Sequence, residues 1–301
     1  MSSSHLTRPA ELTEAEAHGR HTAATAEPTE KITTALVECV EVELNVAIVA
    51  LLPAVVRERY GFAVRRVGGG ASLAYREGNL HKTLGLGLTE PVTEKLIADV
   101  IDWHREHGST ALRIQIAPDA LPSDWDEICA VHGLTGGGWT VKLAGAVDAI
   151  QSRTTDLRIA PVTPAQAGQW ASLITDVFGM PEPFTMATAA SVGQPAYRGY
   201  AAWDGDEMVA AASLFIHGEA AALNSDATEE SHRGRGAQSA LIAARAAAAA
   251  AVGCRWLVAE TARPEPGDST PSLNNMIRLG LTPLYDRQDW VWQAATSGRP
   301  S

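Results

Sequence analysis

The sequence predicts an α/β protein built from two related units. Three observations carry this reading. Helical and strand patterns alternate along the chain after residue 30, a polar stretch at 148–156 separates two such runs, and the runs share landmarks. The helices ending at Gly108 and Gly253 are each followed by a strand. Further on, Gly133-Leu134-Thr135 matches Gly280-Leu281-Thr282, each after a short helix and before a Trp-bearing strand. The expected organisation is a tail at 1–30, a first unit at 31–150 and a second at 157–296.

Residues 1–30 hold no Phe, Tyr, Trp or Ile and bury too little to offset their ordering entropy. His5, His18 and His21 fall there and read as solvated. From Leu36, an alternating pattern competes with a helical stripe of Val37, Val40, Leu44, Ile48, Leu51 and Val55. The stripe outlasts a normal strand, so a helix bent near Pro53 is expected. Strands follow near 62–67, 71–75 and 83–88, with Gly68-Gly69-Gly70 as a turn. Thr89 and Pro91 open a helix that Gly108 ends. A strand at 111–116, a helix at 125–132 and a strand at 139–143 complete the unit, with Gly136-Gly137-Gly138 read as a second hairpin turn.

The second unit reads as a strand at 157–159, helices at 165–177 and 185–192, and strands at 200–203, 208–216 and 220–227. An Ala-rich helix to Val252, a strand at 256–259, a helix at 272–279 and a strand near 285–292 finish it. Laying Leu88-Thr89-Glu90 on Ala227-Thr228-Glu229 makes the first unit about six residues short where the second carries a glycine loop.

The chain has 301 residues and a formal net charge of −11, which argues against nucleic-acid binding by phosphate neutralisation. A cationic small substrate is compatible with that charge. Cys39, Cys129 and Cys254 are widely spaced, suit a reducing cytoplasm and form no CxxC pair. The longest apolar run, 46–56, is too short to span a membrane. His104-Arg105-Glu106-His107 lacks zinc-protease spacing and reads as a helix C-terminus, so no metal is expected.

The segment Arg233-Gly234-Arg235-Gly236-Ala237-Gln238-Ser239 lies between a strand and a helix. Glycines there let amides converge on an anion, the helix adds unsatisfied N–H donors and dipole, and two arginines add charge. It reads as a pyrophosphate cradle. The chain holds no Gly-Lys-Ser/Thr for a Walker loop, and Ser239 stands where a dinucleotide fingerprint needs a third glycine.

With that loop the sequence resembles the GNAT superfamily of acyl-CoA-dependent N-acetyltransferases, whose signature is Arg/Gln-x-x-Gly-x-Gly/Ala. Arg233 and Gly236 stand at the first two fixed positions, and Gln238 replaces the small residue at the last. The resemblance runs from Leu157 to about Trp292 and includes Asn275-Met276-Ile277-Arg278-Leu279-Gly280-Leu281 followed by Tyr285. Residues 31–150 read as a degenerate copy without the loop. The resemblance implies two units, each a twisted mixed β-sheet flanked by helices. In the second, two parallel strands would splay to admit acetyl-CoA as cosubstrate. The pantetheine would follow Asp226-Ala227-Thr228, and the pyrophosphate would sit on the amides of Arg233 to Ser239, with the Ser239 hydroxyl as a further donor.

The implied reaction is direct attack of a small-molecule primary amine on the thioester. Tyr285 matches the family's usual acid, with an aromatic core role as its alternative. Asp226 and Glu260, at the ends of the two strands expected to splay, rank equally as base. Each has a solvated or arginine-paired role as its alternative. Asn275 would orient the ligand from the last helix, or serve as a cap or buried amide. A CoA-binding sensor without turnover, a longer-acyl transferase and a protein-lysine acetyltransferase remain open. The acceptor and the oligomeric state are undecided.

Overall fold

A computed structural model describes residues 32–76, 81–265 and 267–294. The expected tail at 1–30 lies outside the described residues. The first half of the fold opens with α1 (Thr34–Ala50) and α2 (Ala54–Tyr60), which meet at a 101° bend where Pro53 interrupts the helical hydrogen bonds. No single described helix is long and apolar enough to cross a membrane. Next come β1 (Ala63–Val67), β2 (Gly70–Ala74), β3 (Lys82–Leu84), α3 (Glu94–Glu106), β4 (Ala111–Gln115), α4 (Trp125–His132) and β5 (Thr135–Ala146). The second half runs β6 (Arg158–Pro161), α5 (Ala167–Phe178), α6 (Glu182–Ser191), β7 (Tyr197–Asp204), β8 (Glu207–His217) and β9 (Ala220–Thr228). It ends with α7 (Ala237–Ala251), β10 (Trp256–Ala262), α8 (Pro271–Leu279) and β11 (Thr282–Gln293).

All eleven strands form one mixed sheet, in the order β1-β2-β3-β4-β11-β5-β10-β9-β8-β7-β6. Among the described strands only β3–β4 and β9–β10 are parallel, and they occupy equivalent places in the two halves. The final strand of each half crosses to the other. β11 pairs with β4, and β5 pairs with β10 from Trp256↔Ala146 to Ala262↔Thr140. The division at 150–157 therefore separates two stretches of sequence whose strands share a single sheet.

Helices α1 and α5 pack on one face of the second half, against residues such as Ala222, Val258 and Ala211. Helices α7 and α8 cover the other face over Leu143, Leu223 and Leu257. Burying these alternating side chains fixes the register, because a one-residue slip would turn each to the wrong face.

Several expectations need correction. Gly136-Gly137-Gly138 is strand, not turn: a Cβ at Gly136 would stand 2.4 Å from the Gln288 amide, and one at Gly137 2.9 Å from Val291. Close approach of β11, not chain reversal, calls for glycine there. Helix α3 is capped by Thr93, whose hydroxyl accepts from the Leu96 amide, instead of by Thr89. β3 ends at Leu84, so the strand-to-helix connections at 85–93 and 229–236 are nearly equal in length. The first half is not six residues short.

Candidate active site

Strands β9 and β10 pair only through Trp256↔Ala220, Leu257↔Ala221 and Val258↔Ala222. Beyond that point each continues as strand without the other, leaving residues 223–228 and 259–262 on the two sides of an opening. Antiparallel pairing to β8 and β5 holds the separated ends in place.

The chain leaves β9 toward the glycine loop. Gly234 and Gly236 have φ near +82°, a conformation costly for residues with a Cβ. A Cβ at Gly234 would meet nothing within 4 Å, so its outer side is open. Gly236 is the N-cap of α7 and provides no side-chain cap. Ala240 donates its amide to Gly236 O at 3.1 Å. The amides of Ala237, Gln238 and Ser239 precede the reach of the helix's own carbonyls and remain donors at the positive end of a 15-residue dipole. These features fit a diphosphate.

Arg235 does not join the cradle as a free charge. Its guanidinium is clamped by Asp156 and Asp204, and its carbonyl accepts from Thr155 Oγ1 at 2.8 Å. The stretch between the two halves thereby braces the loop. Arg233 is exposed and Ser239 half-buried. Gln238 and Asn275 bind each other: Asn275 Nδ2 donates to Gln238 Oε1 at 2.9 Å, while Gln238 donates to Ser272. Both tie α7 to α8, and the half-buried Asn275 also accepts from Arg278 at 3.1 Å.

The three acid–base candidates part company. Ser225 has φ +57°, and the register with β8 shifts between Ala211 and Ser213. This bulge breaks the two-residue alternation, so Asp226 turns to the α7 face. There the fully buried Arg245 donates two hydrogen bonds to its carboxylate, and further ones to the carbonyls of Ser213 and Leu241. Asp226 serves as the counter-ion of Arg245.

Glu260 and Tyr285 lie in one row across β5, both in register with Lys142. A charged network under α1 joins them. Arg287 donates to Glu38 at 2.6 Å, Glu41 at 3.1 Å and Glu260 at 2.9 Å. Lys142 donates to Glu41 at 2.6 Å and Glu260 at 3.2 Å. Tyr285 donates its hydroxyl proton to Glu38 at 2.7 Å. Burial and the Glu38 carboxylate beside it push the Tyr285 phenol above its usual range, so its proton is held where it stands. Burial alone would raise Glu41, but Arg287 and Lys142 outweigh it and hold that carboxyl well below the usual range. Side-chain exposure distinguishes the acids: Glu38 is 1% exposed, Glu41 9% and Glu260 38%. Glu260 alone among the three opens to solvent, on the separated end of β10.

Sequence reading missed Glu38, Glu41, Lys142 and Arg287. The signal was available in α1, where Glu38 and Glu41 lie one turn apart among the valines of the apolar stripe, while Glu43 falls off that row and pairs with Arg66.

Residues 168–267 match the family model described as Acetyltransferase (GNAT) family. They form a GNAT-family acetyltransferase domain. The matched span of this GNAT domain contains the glycine loop and both splayed strands. Solved structures agree in fold. A GCN5-related N-acetyltransferase from Kribbella flavida superposes with a TM-score of 0.60 at 16% identity, over 86% of this chain and 95% of that one. A tandem GNAT protein from the clavulanic acid biosynthesis pathway gives 0.56 at 15%, covering 88% and 95%. A GCN5-related N-acetyltransferase from Sphaerobacter thermophilus gives 0.55 at 12%, covering 74% and 76%. No relative among curated proteins matches the sequence. The domain places the chain among acyl-transferring enzymes.

Proposed function

We propose that the chain is an acetyl-CoA-dependent N-acetyltransferase acting on a primary amine of a small molecule. One observation carries this: β9 and β10 separate after Val258↔Ala222, immediately before the chain enters an uncapped helix N-terminus through an open glycine loop. The diphosphate would lie on the amides of Arg233 to Ser239, and the pantetheine along the β10-facing edge of Asp226, Ala227 and Thr228.

In the reaction the amine nitrogen attacks the thioester carbon, an N–C bond forms and the C–S bond breaks. One ammonium proton must leave before attack and a second during it, and the departing sulfur ends as thiol. Glu260 is assigned to proton removal, directly or through water, because its carboxylate faces solvent at the opening. Tyr285 is assigned to holding Glu38, and through Glu38 and Arg287 to positioning Glu260. The three unpaired cysteines suit a cytoplasmic enzyme.

Thiol release from acetyl-CoA across an amine panel, with product mass determined, tests the reading. Glu260→Gln should lower kcat about 30-fold or more while CoA affinity stays within threefold. CoA binding without thiol release from any amine would make the protein a sensor, and an acetylated lysine peptide in preference to small amines would make it a protein acetyltransferase.

A further inference from the structure

Beside the splayed strands lies a cavity of about 250 Å3, bounded by α1, β2, α6 and the bulge at Asn224 and Ser225. A wider groove of about 680 Å3 against α2 is lined by first-half residues alone and is not continuous with the glycine loop's residues. The smaller cavity takes walls from both halves and touches the strand that enters the loop.

Its chemistry is selective. Phe62 and Tyr75 stack at 4.6 Å between ring centroids, and Phe184 meets both edge-on at 5.7 Å, giving an aromatic wall. Two buried polar atoms on the lining have no hydrogen-bond partner among the described residues: the Tyr197 hydroxyl and Asn224 Oδ1. Tyr197 is 5% exposed, so water does not compensate it from bulk. A buried polar atom without a partner is costly, and a bound group that pairs with it recovers that cost.

Charge on the lining runs opposite to that of the chain. Among the described lining residues none is Asp or Glu, whereas Lys82 and Arg113 are cationic. Arg113 is paired with Asp289 at 3.2 Å. The Lys82 side chain makes no hydrogen bond or ion pair with the described residues, while its backbone is held in β3. Burial lowers its ammonium, opposed at longer range by Glu41 and Glu260. The lining therefore offers an ammonium that no lining side chain pairs, an acceptor oxygen and an aromatic surface. A dicationic amine would meet repulsion at Lys82 with no lining carboxylate to offset it.

We infer that the acceptor is an amine that carries a carboxylate on an apolar or aromatic body, the carboxylate recognised by Lys82 and polar hydrogens by Asn224 Oδ1 and Tyr197. The inference rests on the acetyltransferase reading and narrows its substrate to amino acids or their longer homologues.

The test uses the full chain, acetyl-CoA and matched acceptors that differ only in charge: phenylalanine against phenylalaninamide, and 6-aminohexanoate against its carboxamide. Phenylalaninamide has the more easily deprotonated amine, so chemistry alone favours it. Carboxylate recognition should reverse that and raise kcat/KM at least tenfold for the acid of one pair. Lys82→Gln should reduce the preference to within threefold. Calorimetry with N-acetylphenylalanine and its amide gives the same comparison without turnover, with at least tenfold tighter binding expected for the acid. The wild-type ratios stand by themselves should the variant fail to fold. Turnover of carboxamides or polyamines as well as or better than the acids overturns the inference and leaves the acetyltransferase reading intact. Absence of CoA binding, or of thiol release with every amine, removes both.

Discussion

The two halves of the sheet place a parallel strand pair and a following helix in equivalent positions, yet only one leaves the opening and bare amides that the proposed diphosphate would need. In the first half β3 stops at Leu84, where its pairing with β4 stops, so no strand separates from its neighbour. In the second, β9 and β10 run on after their last pair. The connecting loops are similar in length and both contain glycines. A Cβ at Gly85 would stand 2.5 Å from Val42, and one at Gly87 2.7 Å from Ala120, so that space is filled by the protein's own side chains. Around Gly234 it is empty. Helix α3 consumes an N-terminal amide with Thr93, whereas α7 leaves its own unsatisfied. The comparison teaches that the proposed phosphate site depends on what its loop leaves unfilled.

The largest contrast to test is in buried polar chemistry. His104 lies fully buried in the first half, bound to Thr83 and Ser109. Burial, with His81 nearby, lowers its pKa to about 3 from an ordinary 6.5. The unfolded chain takes up that proton first, so His104 contributes no penalty above pH 6.5. Stability should fall as pH drops through 6.5 toward 3, by at most about 5 kcal/mol. Urea unfolding across that range should show a shallower decline in His104→Gln, and an unchanged decline would refute the assignment.

Next comes the network that α1 shares with the centre of the sheet. Arg287→Met would remove the ion-pair partner of Glu38 and leave Glu41 paired with Lys142, at a cost of about 3–5 kcal/mol. Denaturant midpoints would reveal it, and a stability loss below about 1 kcal/mol would show that the network is not a structural anchor.

A paired substitution addresses the loops directly. Gly236→Val should weaken CoA binding about a hundredfold, near 2.7 kcal/mol, and its left-handed backbone should also cost about 1–2 kcal/mol of stability. Gly85→Val should lower stability with CoA affinity preserved. Calorimetry and thermal melts on both proteins decide the matter; equal effects on CoA binding would erase the distinction between the halves.

The smallest effect is expected at Tyr285. Removing the hydroxyl in Tyr285→Phe leaves Glu38 with one donor fewer and costs about 1–2 kcal/mol of stability. Its kcat should fall less than tenfold. A drop of a hundredfold with unaltered stability would return Tyr285 to the role of acid that the family resemblance implies.

The sequence alone determined the alternation of elements, the bend at Pro53, the twofold repetition and the glycine loop. Each is local: a proline, a run of apolar spacing or a Gly-x-Gly between strand and helix constrains its own neighbours within a turn or two. Even there, Thr93 displaced Thr89 as a cap because both are capping residues four positions apart and only packing chooses between them. Tertiary structure decided the rest. Strand exchange brought Arg287 and Lys142 beneath Glu38, Glu41 and Glu260, joining residues up to 249 positions apart. The bulge at Ser225 sent Asp226 to Arg245, an effect invisible to a count of alternating residues. The cavity proposed for the acceptor forms where α1, α6 and β9 converge. Side-chain chemistry is written in order along the chain, but charge pairing and enclosed space depend on distances that folding alone establishes.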